Sequence, residues 1–491
     1  MSIIAVIYFF CFFFACRYLK ILQIKGLSNW TMPFAFLVKV VMGFFFCYVY
    51  IYSAKNSAEP SDAVRFLNES QQLHDVFYKS PSDFFALLTG FGDNARMIHE
   101  HMDKTFIWDA GNFTTINDSR NTIRVHALIQ FISFDSDFVH TLIMCFISLI
   151  GLQQLYLSIQ AHSKLKPLFL FFGILLLPSL LFWSSSILKE PLLIVGIGFL
   201  ARALLLNDGI PKRILIGSIG IAFLIAFKPY IFMCLIPSFV FFLVYKYIFK
   251  QRLIMTIGVL LALLVGVLLL FPHKKQAITE NLSRKQFDLE NVGKGGIHVS
   301  VGVNFYYFKP NQYKNLKIEK NYVQLIHPSD AFFMSGNIQD IPKPIHLKPN
   351  GDKWRIHIVM PGTNSYIETT SINNSFTQLI KNIPEALMNS LFRPFPSDQG
   401  NIMKYPAMIE VWLLTLFFLL AIFYHRTINS ETIGIIISIA LFSTCLLLLV
   451  GWTTPVVGAI VRFRFPAQLG LFIIAAILID PQKIKFLKKH E

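Results

Sequence analysis

The sequence predicts an all-α polytopic membrane protein that carries a small mixed α/β domain outside the bilayer. Of its 491 residues 54% are hydrophobic and only 15% charged, and the mean hydropathy is +0.54. Such a composition excludes an ordinary soluble globule. Apolar windows able to cross ~30 Å of hydrocarbon number about eleven. They cover 2–16, 32–53, 137–158, 166–183, 190–206, 212–227, 230–248, 252–271, 407–425, 431–451 and 459–480. Two long polar stretches interrupt them, 54–136 and 272–406. The chain therefore divides into a transmembrane core at 1–271 that holds the first outer loop, an outer domain at 272–406, and closing membrane helices at 407–491.

Charge placement sets the expected orientation. Lys and Arg outnumber Asp and Glu by 44 to 28, a net charge of +16. Arg17, Lys20 and Lys25 follow the first span, and His162, Lys164 and Lys166 the third. Arg202, Lys212 and Arg213 follow the fifth, and Lys246, Lys250 and Arg252 the seventh. His425 and Arg426 follow the ninth, and Lys483, Lys485, Lys488 and Lys489 close the chain. The positive-inside rule assigns such segments to the cytoplasm. The N-terminus and both long polar stretches are then expected outside, and the C-terminus inside. These scattered cations form no stripe of the kind nucleic acid requires. All six cysteines lie in apolar runs without metal spacing and read as core residues. The first apolar run lacks a basic leader and a small-residue cleavage site, so it is expected to be retained.

The first outer loop opens Glu59-Pro60-Ser61-Asp62, where Pro60 and the spacing of Val64, Leu67 and Leu73 predict a helix from about Ser61. Pro81 to Leu88 is apolar but too short to span, and is expected at the membrane interface. Asn117-Asp118-Ser119 predicts the cap of a helix carrying Arg120, Arg124 and His126. In the outer domain, alternation at Ile297, Val299, Val301 and Val303, and again at Trp354, Ile356 and Ile358, predicts strands. From Ser375 to Leu391 helical spacing predicts one amphipathic helix feeding into Arg393-Pro394-Phe395-Pro396.

On this topology one face gathers acids and cations. Asp62 and Glu69 lie after span two, and Arg120, Arg124 and His126 before span three. Lys189 and Glu190 follow Ser184-Ser185-Ser186 between spans four and five, and Lys228 with Tyr230 falls after span six. Arg393 precedes span nine, and Arg462 and Arg464 lead into span eleven. Cations stabilise a phosphate leaving group, and a carboxylate acts as base for an incoming hydroxyl. Each residue also has a plainer reading. An acid at a helix start answers the helix dipole, lysines near helix ends snorkel to headgroups, and His126 fits an interface role. Lys228 before Pro229 marks a helix break whose freed carbonyls line a cavity. No His, Asp and Glu set has metal-ligand spacing. No nucleophile elbow or phosphate-cradling glycine loop appears.

These residues resemble the GT-C superfamily of polytopic glycosyltransferases that use polyprenyl-phosphate-linked sugars. The resemblance rests on a long first outer loop opening with an acid, Ser61-Asp62, and on Pro178 to Glu190, Leu391 to Pro396 and Val461 to Pro466. The latter segments are similar to motifs of bacterial membrane proteins from surface-polysaccharide clusters. The resemblance implies that Asp62 is the catalytic carboxylate, with Glu69 a second candidate on much the same helix face. From the gathering of acids and cations at one face, Lys189, Glu190, Lys228, Arg393, Arg462 and Arg464 are expected to meet the lipid-linked donor, while Arg120, Arg124, His126 and Tyr230 are expected to touch donor or acceptor. The expected reaction transfers a sugar or glycan from a polyprenyl (di)phosphate to a glycan, lipid or protein acceptor outside a bacterial inner membrane. No cofactor is required by these residues, and a divalent ion at Asp62 is compatible with them. A polymerase or ligase of lipid-linked repeat units is the alternative, and a lipid-linked glycan flippase the third. This chain departs from the superfamily in having an extra span before the acidic loop and an outer domain between spans eight and nine.

Overall fold

The computed structural model describes residues 3–53, 61–103, 105, 107–108, 117–335 and 342–484. Nineteen α-helices appear among them. The first seven are α1 (Ile3–Tyr18), α2 (Thr31–Cys47), α3 (Asp62–Lys79), α4 (Pro81–Thr89), α5 (Ala95–His101), α6 (Asp118–Ser133) and α7 (Asp137–Gln160). Next come α8 (Pro167–Leu175), α9 (Pro178–Trp183), α10 (Glu190–Leu205), α11 (Ile210–Phe227), α12 (Pro229–Leu243), α13 (Leu253–Leu270) and α14 (Pro272–Lys294). The last five are α15 (Phe376–Lys381), α16 (Ile383–Phe392), α17 (Lys404–Phe423), α18 (Ser430–Thr453) and α19 (Val457–Leu478). Seven strands lie between α14 and α15: β1 (Gly296–Val301), β2 (Asn304–Phe308), β3 (Leu316–Ile318), β4 (Tyr322–Leu325), β5 (Ser329–Met334), β6 (Lys343–Leu347) and β7 (Lys353–Met360).

Seven helices among the described residues are long and apolar enough to cross a membrane, which marks a membrane protein. They are α2 extended to Tyr52, α7, α11, α12 extended to Ile248, α17, α18 and α19. Three of the other four expected spans form shorter helices, and the fourth, α13, runs 18 residues from Leu253 to Leu270. Helix α1 has 16 residues, and α13 is apolar over Leu253–Gly266. The segment expected at 166–183 breaks into α8 and α9 around Leu176, because Pro178 stands in the first turn of α9. Helix α10, with 16 residues, reaches about 24 Å at 1.5 Å per residue, short of a full crossing. Of the terminal cations in the charge argument, Lys485, Lys488 and Lys489 lie outside the described residues, as do Glu59 and Pro60.

Two compact units emerge. The first comprises Met1–Phe239, Phe417–Ile436 and Leu471–Glu491. Within it α7 and α10 pack backbone to backbone at Gly151 and Gly198, where a Cβ on Gly198 would meet the Gly151 carbonyl oxygen at 2.0 Å. Small residues at such crossings let helices approach closely. Gly198→Val is expected to destabilise by about 3 kcal/mol by overpacking, read as a drop in the unfolding midpoint in detergent. A midpoint unchanged in that variant would show that the two helices do not touch there.

The second unit comprises Val240–Leu416 and Ile437–Gly470. Its strands form one antiparallel sheet in the order β3-β4-β7-β1-β2-β5-β6. The alternating residues Ile297, Val299 and Val301 fall on β1 and Trp354, Ile356 and Ile358 on its neighbour β7, while Val303 lies in the turn after β1, and Ile297, Val299, Phe308, Val323 and Trp354 form the core of one face. Helix α14 covers part of the other face, with Phe287 against Tyr307 and Phe332. One expectation is corrected. The helix predicted over Ser375–Leu391 is two helices, α15 and α16, since Pro384 enters the first turn of α16 and lacks the N–H that a continuous helix needs.

Candidate functional site

The turn after α9 is the centre of the first unit. Ser184, Ser185 and Ser186 are fully buried, and a polar turn at such a place persists only when its groups are satisfied. Three helices supply the partners. From α2, Lys39 Nζ donates to the Ser184 carbonyl at 3.0 Å, to Ser184 Oγ at 2.7 Å and to Ser185 Oγ at 3.2 Å. From α7, Ser148 Oγ donates to the Ser184 carbonyl at 2.7 Å. From α6, His126 Nε2 donates to the Ile187 carbonyl at 2.8 Å. Gly43 makes room for the turn, since a Cβ there would lie 2.7 Å from the Ser185 carbonyl oxygen. The one charge near the centre of the second span is thus a clamp on this turn.

The clamped turn delivers Lys189 and Glu190 in adjacent positions to two different partners. Lys189 Nζ meets Asp118 Oδ2 at 2.7 Å and Ser119 Oγ at 2.8 Å at the start of α6. Glu190 Oε1 meets Lys228 Nζ at 3.2 Å, with side chains 1% and 6% exposed. Lys228 sits in the break between α11 and α12, as its sequence position implied, and lies over the Tyr230 ring at 5.5 Å. The Lys189 ammonium also lies over Phe66 of α3 at 5.6 Å. Phe66 stands one turn after Asp62 and one turn before Glu69, so the three share a helix face. Asp62 is exposed at the first position of α3, and Ser61 is its cap, accepting from Val64 N at 3.4 Å. Glu69 is buried, and its Oε1 accepts from Ile107 N at 3.2 Å.

Arg120, Arg124 and His126 stand on α6. Asn117 caps α6 as expected, accepting from Ser119 N at 3.0 Å and Arg120 N at 3.1 Å. Arg120 and Arg124 flank Trp108 at 5.0 and 5.3 Å, and Arg124 Nε donates to the Leu87 carbonyl at 2.8 Å. His126 Nδ1 lies 2.9 Å from His140 Nδ1. Because Nε2 of His126 donates, its Nδ1 accepts and His140 donates. Burial lowers the His126 imidazole from 6.5 to about 4, with the Ile187 bond acting the other way. The native state therefore holds neutral His126, and its stabilising effect is complete above about pH 6.5. That effect is lost as pH falls toward 4, at up to about 1.4 kcal/mol per pH unit. The unfolding midpoint in detergent is expected to fall over that window, and His126→Gln is expected to flatten the fall. An unchanged slope in the variant would assign the dependence elsewhere.

The opposite end of the same bundle gathers the basic segments. Arg426 donates through Nε to the Ile477 carbonyl at 2.8 Å and through Nη2 to the His162 carbonyl. Lys164 meets Asp480 at 3.4 Å, and Arg202 meets Asp208 at 3.0 Å at the far end of α10. Segments expected on one side of the membrane thus touch one another. Lys189, Glu190, Lys228 and the start of α6 touch one another at the other ends of the same helices.

In the second unit Arg393 Nε donates to Asn389 Oδ1 at 2.8 Å, and its Nη1 pairs with Asp398. Arg464 is fully buried, and its Nη1 donates to the Ser390 carbonyl at 2.8 Å and to the Arg393 carbonyl. Arg462, two residues away, is half-buried, the divergence expected for that helical spacing. Sequence reasoning missed Asp118 as an ion-pair partner, reading it only as part of a cap, and missed the buried Glu410 and Gln468. Their signal was an acid and an amide inside apolar runs. Among the described residues, no group of three or more His, Cys, Asp or Glu could hold a metal ion.

No family model, curated protein or solved structure matches this chain.

Proposed function

We propose that the protein is a membrane glycosyltransferase that takes a sugar or glycan from a polyprenyl (di)phosphate and passes it to a hydroxyl acceptor at the extracytoplasmic face. The observation that carries this reading is the clamped turn, which offers Lys189 and Glu190 beside the face of α3 that begins with Asp62. In the proposed reaction Asp62 takes the acceptor's proton as its oxygen attacks the anomeric carbon. The bond from that carbon to the phosphate oxygen breaks, and the phosphate leaves with the electron pair.

Lys189 is the proposed phosphate partner. Its partner Asp118 is 33% exposed, so a donor phosphate can approach that pair from solvent, whereas Glu190 and Lys228 are buried together and hold the turn. Transport is less well supported. A flippase needs ionisable groups that can change partners along its path, and Lys39 is held by three oxygens.

The test uses the purified full chain with short-chain polyprenyl-phosphate monosaccharides and a panel of sugar and lipid acceptors. Release of polyprenyl phosphate together with a glycosylated acceptor is the expected result. Release by a lipid-linked oligosaccharide but by no monosaccharide donor would favour the polymerase or ligase reading. No release from any donor in the presence of folded protein would remove the reading.

A further inference from the structure

The segment that leaves α1 at the basic end of the first unit carries three cations and no acid. Arg17 stands in the last turn of α1, Lys20 and Lys25 follow it, and the first acid in the sequence is Glu59. Elsewhere at this end Lys164 is balanced by Asp480, and Arg202 and Lys212 by Asp208. No ion pair or side-chain hydrogen bond among the described residues engages the cationic groups of Arg17, Lys20 or Lys25. The backbone that presents them is nonetheless fixed. Leu22 and Ile24 are buried, Gln153 of α7 donates through Nε2 to the Ile21 carbonyl at 2.9 Å, and Gln23 Nε2 donates to the Arg17 carbonyl at 3.0 Å.

The Arg17 guanidinium is held by rings. It lies over Trp30 at 4.9 Å and over Tyr18 at 5.5 Å. Such stacking orients the planar group and leaves its N–H edge for paired oxygens, the geometry of a phosphate. Tyr18 and Trp30 are exposed, and rings of this kind sit at headgroup depth in a bilayer. From there Tyr18, Phe14 and Phe10 stack in a row along α1 at steps of 6.2 Å, all three exposed. A file of apolar rings with three unbalanced cations at its head fits a molecule with acyl chains and an anionic headgroup. Charge selects among lipids. Every phospholipid offers a phosphate, but a zwitterionic one brings its own ammonium among Lys20 and Lys25, whereas an anionic one leaves its charge to all three cations.

We propose that Arg17, Lys20 and Lys25 bind the headgroup phosphate of an anionic phospholipid, whose acyl chains lie along Tyr18, Phe14 and Phe10. The site is at the end of the bundle opposite Lys189, and it does not depend on the transferase reading.

The full chain in detergent is titrated with phosphatidylglycerol or with phosphatidylcholine of the same acyl chains, and retained lipids are counted by native mass spectrometry. Phosphatidylglycerol is expected to be held at least about tenfold more tightly. Arg17→Gln is expected to weaken its retention about fivefold, the factor for one cation beside an anionic headgroup. Lys20→Gln is expected to weaken it by a similar factor and keeps the test open should Arg17→Gln fail to fold. Lys164→Gln removes a cation at the same end but outside the site, and is expected to leave retention unchanged. Equal retention of the two lipids, or equal losses in Lys164→Gln and Arg17→Gln, would overturn the site in favour of a diffuse basic surface. Release by millimolar glycerol phosphate would overturn it in favour of a soluble anion. Polyprenyl phosphate held more tightly than phosphatidylglycerol, and lost in Arg17→Gln, would overturn it in favour of a donor site at this end.

Discussion

Replacing Glu190 with Gln is expected to cost about 3–5 kcal/mol, because it removes a buried carboxylate that is paired with the buried Lys228 ammonium. The pair sits almost wholly out of solvent, with side chains 1% and 6% exposed, so water is not there to take the place of the carboxylate. The measurement is the unfolding midpoint of the detergent-solubilised protein. A double variant, Glu190→Gln with Lys228→Met, is expected to recover most of the loss, since it removes both charges rather than one. Asp118→Asn is the contrasting case. Its ion pair with Lys189 is 33% exposed on the acid side and 10% on the lysine side, so solvent screens it in part and the expected cost is about 1–3 kcal/mol, below that at Glu190. Equal losses at Glu190 and Asp118 would contradict this division between a structural pair and an exchangeable one.

The second large effect is on rate. Asp62→Asn is expected to lower transfer by roughly 10²–10⁴-fold, the contribution of a positioned general base. Its effect on folding is expected to be small. Asp62 is exposed at the first position of α3, where the interaction of a carboxylate with the helix dipole is worth about 0.3–1 kcal/mol. Glu69→Gln serves as comparison. Glu69 is buried and bonded to the Ile107 backbone, so its loss is expected in stability before it is felt in turnover. Full activity in Asp62→Asn would move the base elsewhere. Lost folding in that variant would reduce Asp62 to a structural acid.

Local chemistry was legible in the sequence because it depends on near neighbours. Ser61 and Asn117 start helices through their own side chains, Pro229 breaks one after Lys228, and alternation at 297–303 and 354–358 gives adjacent strands. The pairings that build the site were not legible. Lys189 finds Ser119 across 70 residues, and Lys39 finds Ser184 across 145. No local pattern records which distant oxygen answers a buried cation. Span length misled for a related reason. A hydropathy window through 166–183 registers one apolar run but not the break around Leu176, where Pro178 opens α9. Arg464 shows the same limit from the other side. Its guanidinium reaches the Ser390 and Arg393 carbonyls across 74 and 71 residues, pairings that its position in the sequence does not record.

Whether the clamped turn lies outside the cytoplasm decides whether a lipid-linked donor is needed at all. The direct measurement is thiol labelling in intact cells, with the native cysteines replaced and single cysteines placed at two exposed positions. Asn68 lies on α3 beside the proposed site, and Lys164 lies in the basic segment at the other end of the bundle. Asn68→Cys is expected to react with a membrane-impermeant maleimide in intact cells, and Lys164→Cys only after the membrane is opened. The reverse pattern would put Asp62 and Lys189 in the cytoplasm, where soluble nucleotide sugars serve as donors, and would contradict transfer from a polyprenyl carrier at the outer face.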